Sequence, residues 1–465
     1  MTPSSEKTTA FEHQSRSILI ALIFPVIALL FNGSVFGIAL PTIRDHFAIE
    51  PDVVAWLAIA FSLPFMVMMP LYGRLGDQLG RSRLLVFGII ILSLGTILIF
   101  VAESLFWVFV GRVVQGFGSA GITPLCLAII SSRFPEETRG RALGIWNATA
   151  PGTSIFAPTI GGFLIDAFGW RLIFPPIFVL CVVAVVIVRR QVPTLRGRPN
   201  WAILRQFDWG GVFFLNGLVI FLVLFLSSRP ITGVEPLRDW RLLLGFLGFT
   251  AVFFIWERHQ LDPLINLRLF KNPNFTFASL ASGFRMGMMA GPGFLFPLYL
   301  TDLYGFNAAQ LGLFATVHSI ILLVLIRVGG NMADSYSRRN LTIVGISGQL
   351  LAMIYFAFLP ASVDLALIYA GLIFHGAAAG LNIISLHRKA LDSVDENQSG
   401  AAAGIYSMTR FGGSMIATTL IGVVLQWGEQ VGLTQIESYQ AAFYILVGYG
   451  ILGLICSFAL QKKQN

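Results

Sequence analysis

Residues 73–83, GRLGDQLGRSR, place three arginines and one aspartate in an interval punctuated by glycine, with almost wholly apolar sequence on either side. No Walker A, G-x-S-x-G or H-E-x-x-H pattern accompanies them, so the chemistry on offer is electrostatic rather than covalent. Arg74, Arg81 and Arg83 can pair with carboxylates or with helix-end carbonyls, and Asp77, near the expected start of the following helix, can accept backbone N–H bonds at its positive end. Gly73 and Gly80 allow a tight turn and close helix approach where a Cβ would clash. A solvated loop that sets orientation is the plain alternative. A second group lies inside apolar runs. Arg112, Gln115 and Ser119 follow i, i+3, i+7 spacing and share one helical face; His375 and Asn382, seven apart, share another. Arg285 and Arg410 are likewise surrounded by apolar sequence, yet no Asp or Glu falls mid-run; Glu103, Asp166 and Asp302 lie at run ends. An arginine at a membrane midplane costs about 2.5–3.5 kcal/mol, so these are expected to face a partner or a cavity. Bonding to helix carbonyls and an electropositive cavity for an anionic or weakly acidic substrate are both open. His318 and His375, the histidines well inside apolar runs, can change charge near neutral pH, or can be polar core residues bonded to a neighbour.

The elements that must carry these residues are membrane spans. The chain is 56% hydrophobic and 12% charged with mean hydropathy +0.78, against about 25% charged residues in a soluble domain. So much apolar surface cannot be buried in a water-soluble fold, and lipid must be its solvent. The net charge of +8 comes from short basic runs between apolar segments, which argues for membrane orientation and against nucleic acid. Cys126, Cys181 and Cys456 are far apart and suggest neither a disulfide framework nor a zinc site. A polar start followed by an apolar run of about 24 residues is too long for a signal-peptide core and is read as a retained first helix.

At roughly 20 residues per crossing, fourteen spans are expected: 17–40, 53–72, 84–101, 105–130, 142–165, 172–188, 209–228, 240–256, 274–300, 308–326, 341–360, 363–386, 399–427 and 439–460. An even number puts both ends on one side. Of 31 Lys and Arg, 23 fall on that side, 5 on the other and three (Arg112, Arg285, Arg410) within spans, which predicts cytoplasmic termini. GNMADSYSRRN, residues 330–340, repeats the opening stretch: Gly73 falls on Gly330, Asp77 on Asp334 and Arg81 on Arg338, an offset of 257. The same offset carries the start of span 1 to the start of span 9. Spans 1–6 therefore map onto spans 9–14, with spans 7 and 8 inserted, a repeat plan known in transporters. The expected organisation is an N-terminal tail (1–16), a six-helix bundle (17–190), a linker (191–208), two inserted spans (209–256), a second linker (257–273), a second six-helix bundle (274–460) and a C-terminal tail (461–465).

On these features the chain resembles the fourteen-helix drug:proton antiporter branch of the major facilitator superfamily, over nearly its whole length. GRLGDQLGRSR is similar to the superfamily's loop signature between helices 2 and 3. GRVVQGFGSAG (111–121) is similar to the R-x-x-Q-G-x-G motif of helix 4. APTIGG (157–162) is similar to the exporter-associated G-P-x-x-G-G motif, with Ala157 where Gly is usual. WRLIF (170–174), DWGG (208–211) and DPLINLRLFKNPNF (262–275) match further branch features. In span 1 the branch usually carries an Asp; here LFNGSVFGIALP has Asn32 in its place and Gly37 where Asn is usual, which bears on proton coupling. The resemblance implies an all-α membrane fold of two six-helix bundles plus two inserted helices, with Asp77 in a charge network that latches the halves. Gly73, Gly80, Arg81, Asp334 and Arg338 would join that network. It implies a cavity lined by the first helix of each three-helix unit, which makes Asn32, Arg112, Gln115, Arg285, His375 and Asn382 candidates. Pro158, Gly161 and Gly162 in span 5 suit a bending, closely packed gating helix. Arg410 lies in TRFGGS of span 13, the repeat partner of span 5, and these two spans are expected to pack on each other across the interface.

GFGSAG (116–121) fits the dinucleotide pattern G-x-G-x-x-G but lies mid-span without a preceding strand, so helix packing explains it. The expected protein is not an enzyme. It is a secondary transporter of hydrophobic or amphipathic small molecules, needing no cofactor because the proton gradient drives it. Its expected partners are substrate, protons and membrane lipid, without nucleic acid; it is expected in the inner cell membrane as a monomer, with an accessory export partner left open. The alternatives are an uncoupled facilitator or uptake carrier of an anionic metabolite and a non-transporting membrane sensor or scaffold.

Overall fold

Lipid offers no hydrogen bonds to a backbone, so every segment that crosses it must satisfy its own N–H and C=O groups, and the runs above can do so only as helices or in a closed barrel. The computed structural model describes residues 3–193, 208–260, 263–395 and 398–461, and among them there is no strand. The α-helices are α1 (Pro3–Phe47), α2 (Pro51–Leu79), α3 (Arg81–Phe100), α4 (Leu105–Ser119), α5 (Ile122–Arg133), α6 (Glu136–Phe168), α7 (Phe174–Gln191), α8 (Trp209–Leu226), α9 (Arg229–Thr232), α10 (Trp240–His259), α11 (Pro273–Met288), α12 (Phe296–Tyr304), α13 (Ala308–Ser335), α14 (Arg338–Ala357), α15 (Leu365–Leu391), α16 (Ser399–Gln430) and α17 (Gln435–Phe458). Among the described residues, twelve helices are long and apolar enough to cross a membrane. The other two expected spans fall on α6 and on α11 with α12. α6 is long but carries small and polar residues such as ATAPGTS (148–154).

Span 9 is broken rather than continuous. Residues Gly291–Leu295, GPGFL, form a π-turn between α11 and α12, because Pro292 removes a backbone donor and the flanking glycines tolerate the widened turn. The helix-2/3 turn also differs from the expectation. α2 runs on to Leu79, so Asp77 lies in its last turn rather than at the start of α3, and Gly80, at φ +97°, makes the turn that a side chain would strain. The side chains of Asp77 and Asp334 lie outside the described residues, as do most of the linker 191–208 and the last four residues of the chain.

Helices α1–α7 pack into one half (α3 on α4 and α7, α1 on α6) and α11–α17 into the other (α14 on α15 and α17, α11 on α16). Between halves, α6 packs on α13 and α2 on α16. Spans 5 and 13 therefore do not form the expected direct pair. A two-fold relation explains this: it exchanges spans 5 and 13, so it turns the contact of span 5 with span 10 into that of span 13 with span 2. The inserted α8 and α10 pack on each other. Asp208 ties them to the following linker, accepting from Gly211 N (2.8 Å), Trp256 Nε1 (2.6 Å) and Leu264 N (3.2 Å). Asn272 caps α11 through Asn274 N and Phe275 N. These bonds are the local use of the DWGG and DPLINLRLFKNPNF segments.

The seam between the halves is closed at one end only. On the side away from the chain ends, a Cβ on Gly162 would lie 2.2 Å from Ala308 O, one on Gly312 2.3 Å from Pro158 O, and one on Gly422 2.4 Å from Ala55 Cβ. Eighteen residues are about five turns and return to the same helical face. Gly144, Gly73 and Gly404 stand that far from Gly162, Ala55 and Gly422, on the same faces but towards the terminal side. At all three, an added Cβ would meet no atom of the described residues within 4 Å. The halves thus touch on the opposite side and part towards the side of the termini. Gly162→Ala forces α6 from α13 and is expected to destabilise by about 1–3 kcal/mol, read as a lowered Tm of the purified protein. Gly144→Ala, on the same face in open space, is expected to leave Tm unchanged; equal loss in both variants would contradict the one-sided seam.

Candidate functional site

Each half contains a buried arginine, and neither has a carboxylate beside it. In the N-terminal half α4 presents Arg112 and Gln115 to α2 and α3. Arg112 donates from Nε to Leu57 O (3.3 Å) and from Nη1 to Gln115 Oε1 (3.0 Å). Gln115 Nε2 donates on to Thr96 Oγ1 (3.1 Å), which donates to Leu92 O. The guanidinium lies between the rings of Phe36 (3.7 Å) and Phe61 (4.5 Å), which supply π-faces where a counter-charge would otherwise be needed. Arg112 therefore binds three helices of its own half together.

Asn32, on α1, is fully buried, and neither its oxygen nor its nitrogen has a hydrogen-bond partner among the described residues; Ser119 Oγ is in the same condition. Cys126 Sγ lies 3.8 Å from Leu22 O, and Arg112 sits on Phe36. These two contacts fix an antiparallel register that sets Asn32 level with Gly116. An unpaired buried amide costs about 1–3 kcal/mol. It marks a position with unmet demand for a polar ligand or water.

In the C-terminal half one hydrogen-bonded chain runs through α11, α15, α14 and α13. Arg285 Nε donates to Asn382 Oδ1 (2.5 Å) and Nη2 to Ala379 O (3.2 Å). Asn382 Nδ2 donates to Gln349 Oε1 (3.0 Å), Gln349 Nε2 reaches His375 Nε2 (3.3 Å), and His375 Nδ1 reaches His318 Nε2 (3.1 Å). All five side chains are buried. A guanidinium can only donate, so it sets the direction of every bond beyond it. Asn382 and Gln349 must each accept on oxygen and donate from nitrogen. His375 must accept on Nε2 and carry its proton on Nδ1, and His318 must accept on Nε2. Both rings are then neutral. The sequence candidates Arg285, His375 and Asn382 are thus brought together, and Gln349 is the link that no motif marked.

Of the gating candidates, Pro158 and Gly162 line the closed end of the seam, whereas Gly161 faces α1 of its own half. A Cβ on Gly161 would meet Val35 of α1. Thr316 Oγ1 donates to Ile155 O (2.7 Å) and lies 2.7 Å from Thr159 Oγ1, while Asp166 accepts from Ala308 N and Ala309 N at the start of α13. Arg410 is half-buried on α16, with the rings of Tyr406 and Phe411 at 5.8 and 5.9 Å. Of the latch candidates, Arg81 Nη1 donates to Ala128 O (2.6 Å) and Arg338 pairs with Asp392, contacts that stay within their own halves. Gly73 lies on the open side.

The closed side carries an ion pair that sequence reading missed. Arg44, at the end of α1, bonds both oxygens of Asp302 on α12 (2.8 and 2.7 Å), and Tyr439 donates to the same carboxylate (2.5 Å). Asp302 was visible only as an acid at a span end and Arg44 as a loop charge. Their separation of 258 residues hides the pairing, although it is close to the repeat offset.

Two halves of packed membrane helices, an insertion between them and a one-sided seam define a multi-pass membrane transporter fold. The Major Facilitator Superfamily model matches residues 22–418 and again 278–464, and the chain belongs to that family. It is similar to the quinolone resistance protein NorB of Staphylococcus aureus (strain MSSA476), with 28% identity over 100% of this chain and 98% of the relative. It is also similar to the MFS-type transporter YvkA of Bacillus subtilis (strain 168), with 26% identity over 97% of each. Among solved structures, a bacterial homolog of the human lysosomal transporter Spinster, inward-facing and unoccupied, superposes with TM-score 0.70 at 15% identity, covering 96% of this chain and 98% of that one. A peptide transporter POT in complex with sulfate superposes at TM-score 0.71 and 15% identity, covering 94% and 93%. At such identity these two show the fold alone.

Two outcomes are expected from this geometry. Asp302→Asn removes a bidentate charged pair worth about 1–3 kcal/mol, enough to shift a two-state opening by roughly five- to 150-fold. A cysteine at position 433, beside Asp302 in the recess that also holds Glu429, should then react faster with an impermeant maleimide, and an unchanged rate would contradict the gate. His375→Gln keeps a hydrogen-bonding side chain but removes the titrating ring, so the pH dependence of transport between about pH 5 and 8 should flatten. A retained profile would mean that the pair does not carry the proton.

Proposed function

We propose that the protein is a proton-coupled exporter of hydrophobic or amphipathic small molecules. It works by alternating access in the inner cell membrane, with both termini in the cytoplasm. The observation that carries this reading is the one-sided seam. Halves packed through glycine contacts and the Arg44–Asp302 pair on one side, and parted on the other, are one of the two states that alternating access requires. The excess of Lys and Arg on the terminal side supports an opening towards the cytoplasm. The full-length similarity to a quinolone resistance protein supports drug-like cargo.

The histidine pair supports coupling in a chain without a mid-span carboxylate. A proton arriving at His318 Nε2 displaces the bond from His375 Nδ1. His375 can answer only by reversing its tautomer, which breaks its bond from Gln349, because the arginine end of the chain cannot reverse. Protonation and an intact Arg285–His318 chain are therefore mutually exclusive, which links charge to helix packing.

A second reading, an uncoupled facilitator, is favoured by one observation: Asn32 is neutral where the branch it resembles has an acid. Dye efflux from energised cells decides between them. Export against a gradient that stops on adding a protonophore supports the exporter. Equilibration insensitive to the protonophore supports the facilitator, and no flux of any dye overturns both.

A further inference from the structure

We infer that Arg410 and His387, flanking the ring of Tyr406 and backed by Arg285, form an anion subsite in the cleft that takes the carboxylate of an aromatic organic acid. The inference rests on the transporter reading, in which this cleft carries the cargo. Arg410 lies mid-span, half-buried, and makes no hydrogen bond or ion pair among the described residues; its neighbours are the ring faces of Tyr406 and Phe411. It stands at the meeting of the halves. The next residue, Phe411, sets its ring edge against Phe65 of α2 at 5.0 Å, and a Cβ on Gly412 would lie 3.3 Å from Met66 Sδ.

Two further positive or ionisable groups converge there without an acid among them. Arg285 is close enough for the two guanidiniums to repel. His387, exposed on α15, turns its ring edge-on to Tyr406 at 5.4 Å and is within electrostatic reach of Arg410. Ser282 holds the Tyr406 hydroxyl at 2.8 Å, which fixes the ring as a platform. The carboxylate that His387 senses, Asp392, is taken up by Arg338.

Two arginines within electrostatic reach of each other at membrane depth, with no ion pair to either among the described residues, raise a positive potential. Arg112, by contrast, is satisfied by two hydrogen bonds and two rings. An incoming carboxylate would meet the planar fork of Arg410, which suits bidentate pairing, while the aromatic body of the same molecule would lie against Tyr406, Phe411 and Phe65.

The test uses the purified full-length protein in lipid nanodiscs and three probes that share one ring: benzoate, benzamide and benzylammonium. Benzoate is expected to bind about tenfold or more tighter than benzamide, the effect of one charge-assisted hydrogen bond, with benzylammonium weakest. Arg410→Gln should lower the benzoate-to-benzamide ratio by about the same factor, Arg410→Lys should restore part of it, and His387→Asn should lower it less. A wild type without preference, or a ratio unchanged in Arg410→Gln, overturns the inference. If Arg410→Gln does not reach the membrane, the ratios in Arg410→Lys and His387→Asn decide in its place. Dye efflux by the same protein keeps the two readings apart. Efflux without anion preference overturns the subsite and leaves the exporter, whereas anion preference without efflux supports the subsite and removes the exporter.

Discussion

The arrangement of this protein depends on guanidinium groups held at membrane depth where no carboxylate is near. A guanidinium there cannot shed its proton or take up a hydrogen bond, and leaving it unpaired against lipid costs several kcal/mol. The three mid-span arginines meet this constraint in three ways. Arg112 uses a backbone carbonyl, a glutamine and two aromatic faces, and so joins three helices of one half. Arg285 uses an asparagine and a carbonyl, and its donor-only character runs as a direction through Gln349 to two histidines. Arg410 uses ring faces alone and remains half-buried at the seam.

Glycine governs the other half of the design. Where α6 meets α13, backbones approach so closely that a Cβ on Gly162 or Gly312 would fall within 2.3 Å of a carbonyl oxygen, and where α2 meets α16 one on Gly422 would lie 2.4 Å from Ala55 Cβ. Such contact gives dense van der Waals packing between helices that lipid gives no hydrophobic reason to associate. The same faces carry glycines at the other end, yet there the halves have parted. A surface able to close at either end, but closed at one, suits two alternative packings of nearly equal energy. The Arg44–Asp302 pair adds charge to whichever balance those packings strike, and it sits at the end that is closed.

The two polar chains divide the work between the halves. The N-terminal chain ends on a threonine bonded to its own helix and contains no group that titrates near neutral pH. The C-terminal chain ends on His318 and His375, two imidazoles in hydrogen-bond contact. Asn32, the buried amide whose polar atoms find no partner among the described residues, belongs to the other half.

Membrane residence, the helical segments, the repeat at an offset of 257 and the arginine positions were legible in the sequence because each is a property of composition, length or period. Helix faces were legible too: His375 with Asn382, and Arg112 with Gln115, do share faces. What the sequence could not carry were relations between residues far apart along the chain. Gln349 joins Asn382 to His375, and Asp302 meets Arg44 across 258 residues, only because helix packing sets them side by side. The pairing of spans 5 with 10 and 2 with 13 follows from a two-fold relation that no single segment records. The break at Gly291–Leu295 was marked by its proline and glycines, but its consequence, a packing against α1 so close that a Cβ on Gly37 would lie 2.9 Å from Gly293 O, needed the second helix in place. Local chemistry thus determined which groups had to be satisfied, and tertiary packing decided which partners satisfied them, because in a lipid solvent the only partners are those that other helices bring.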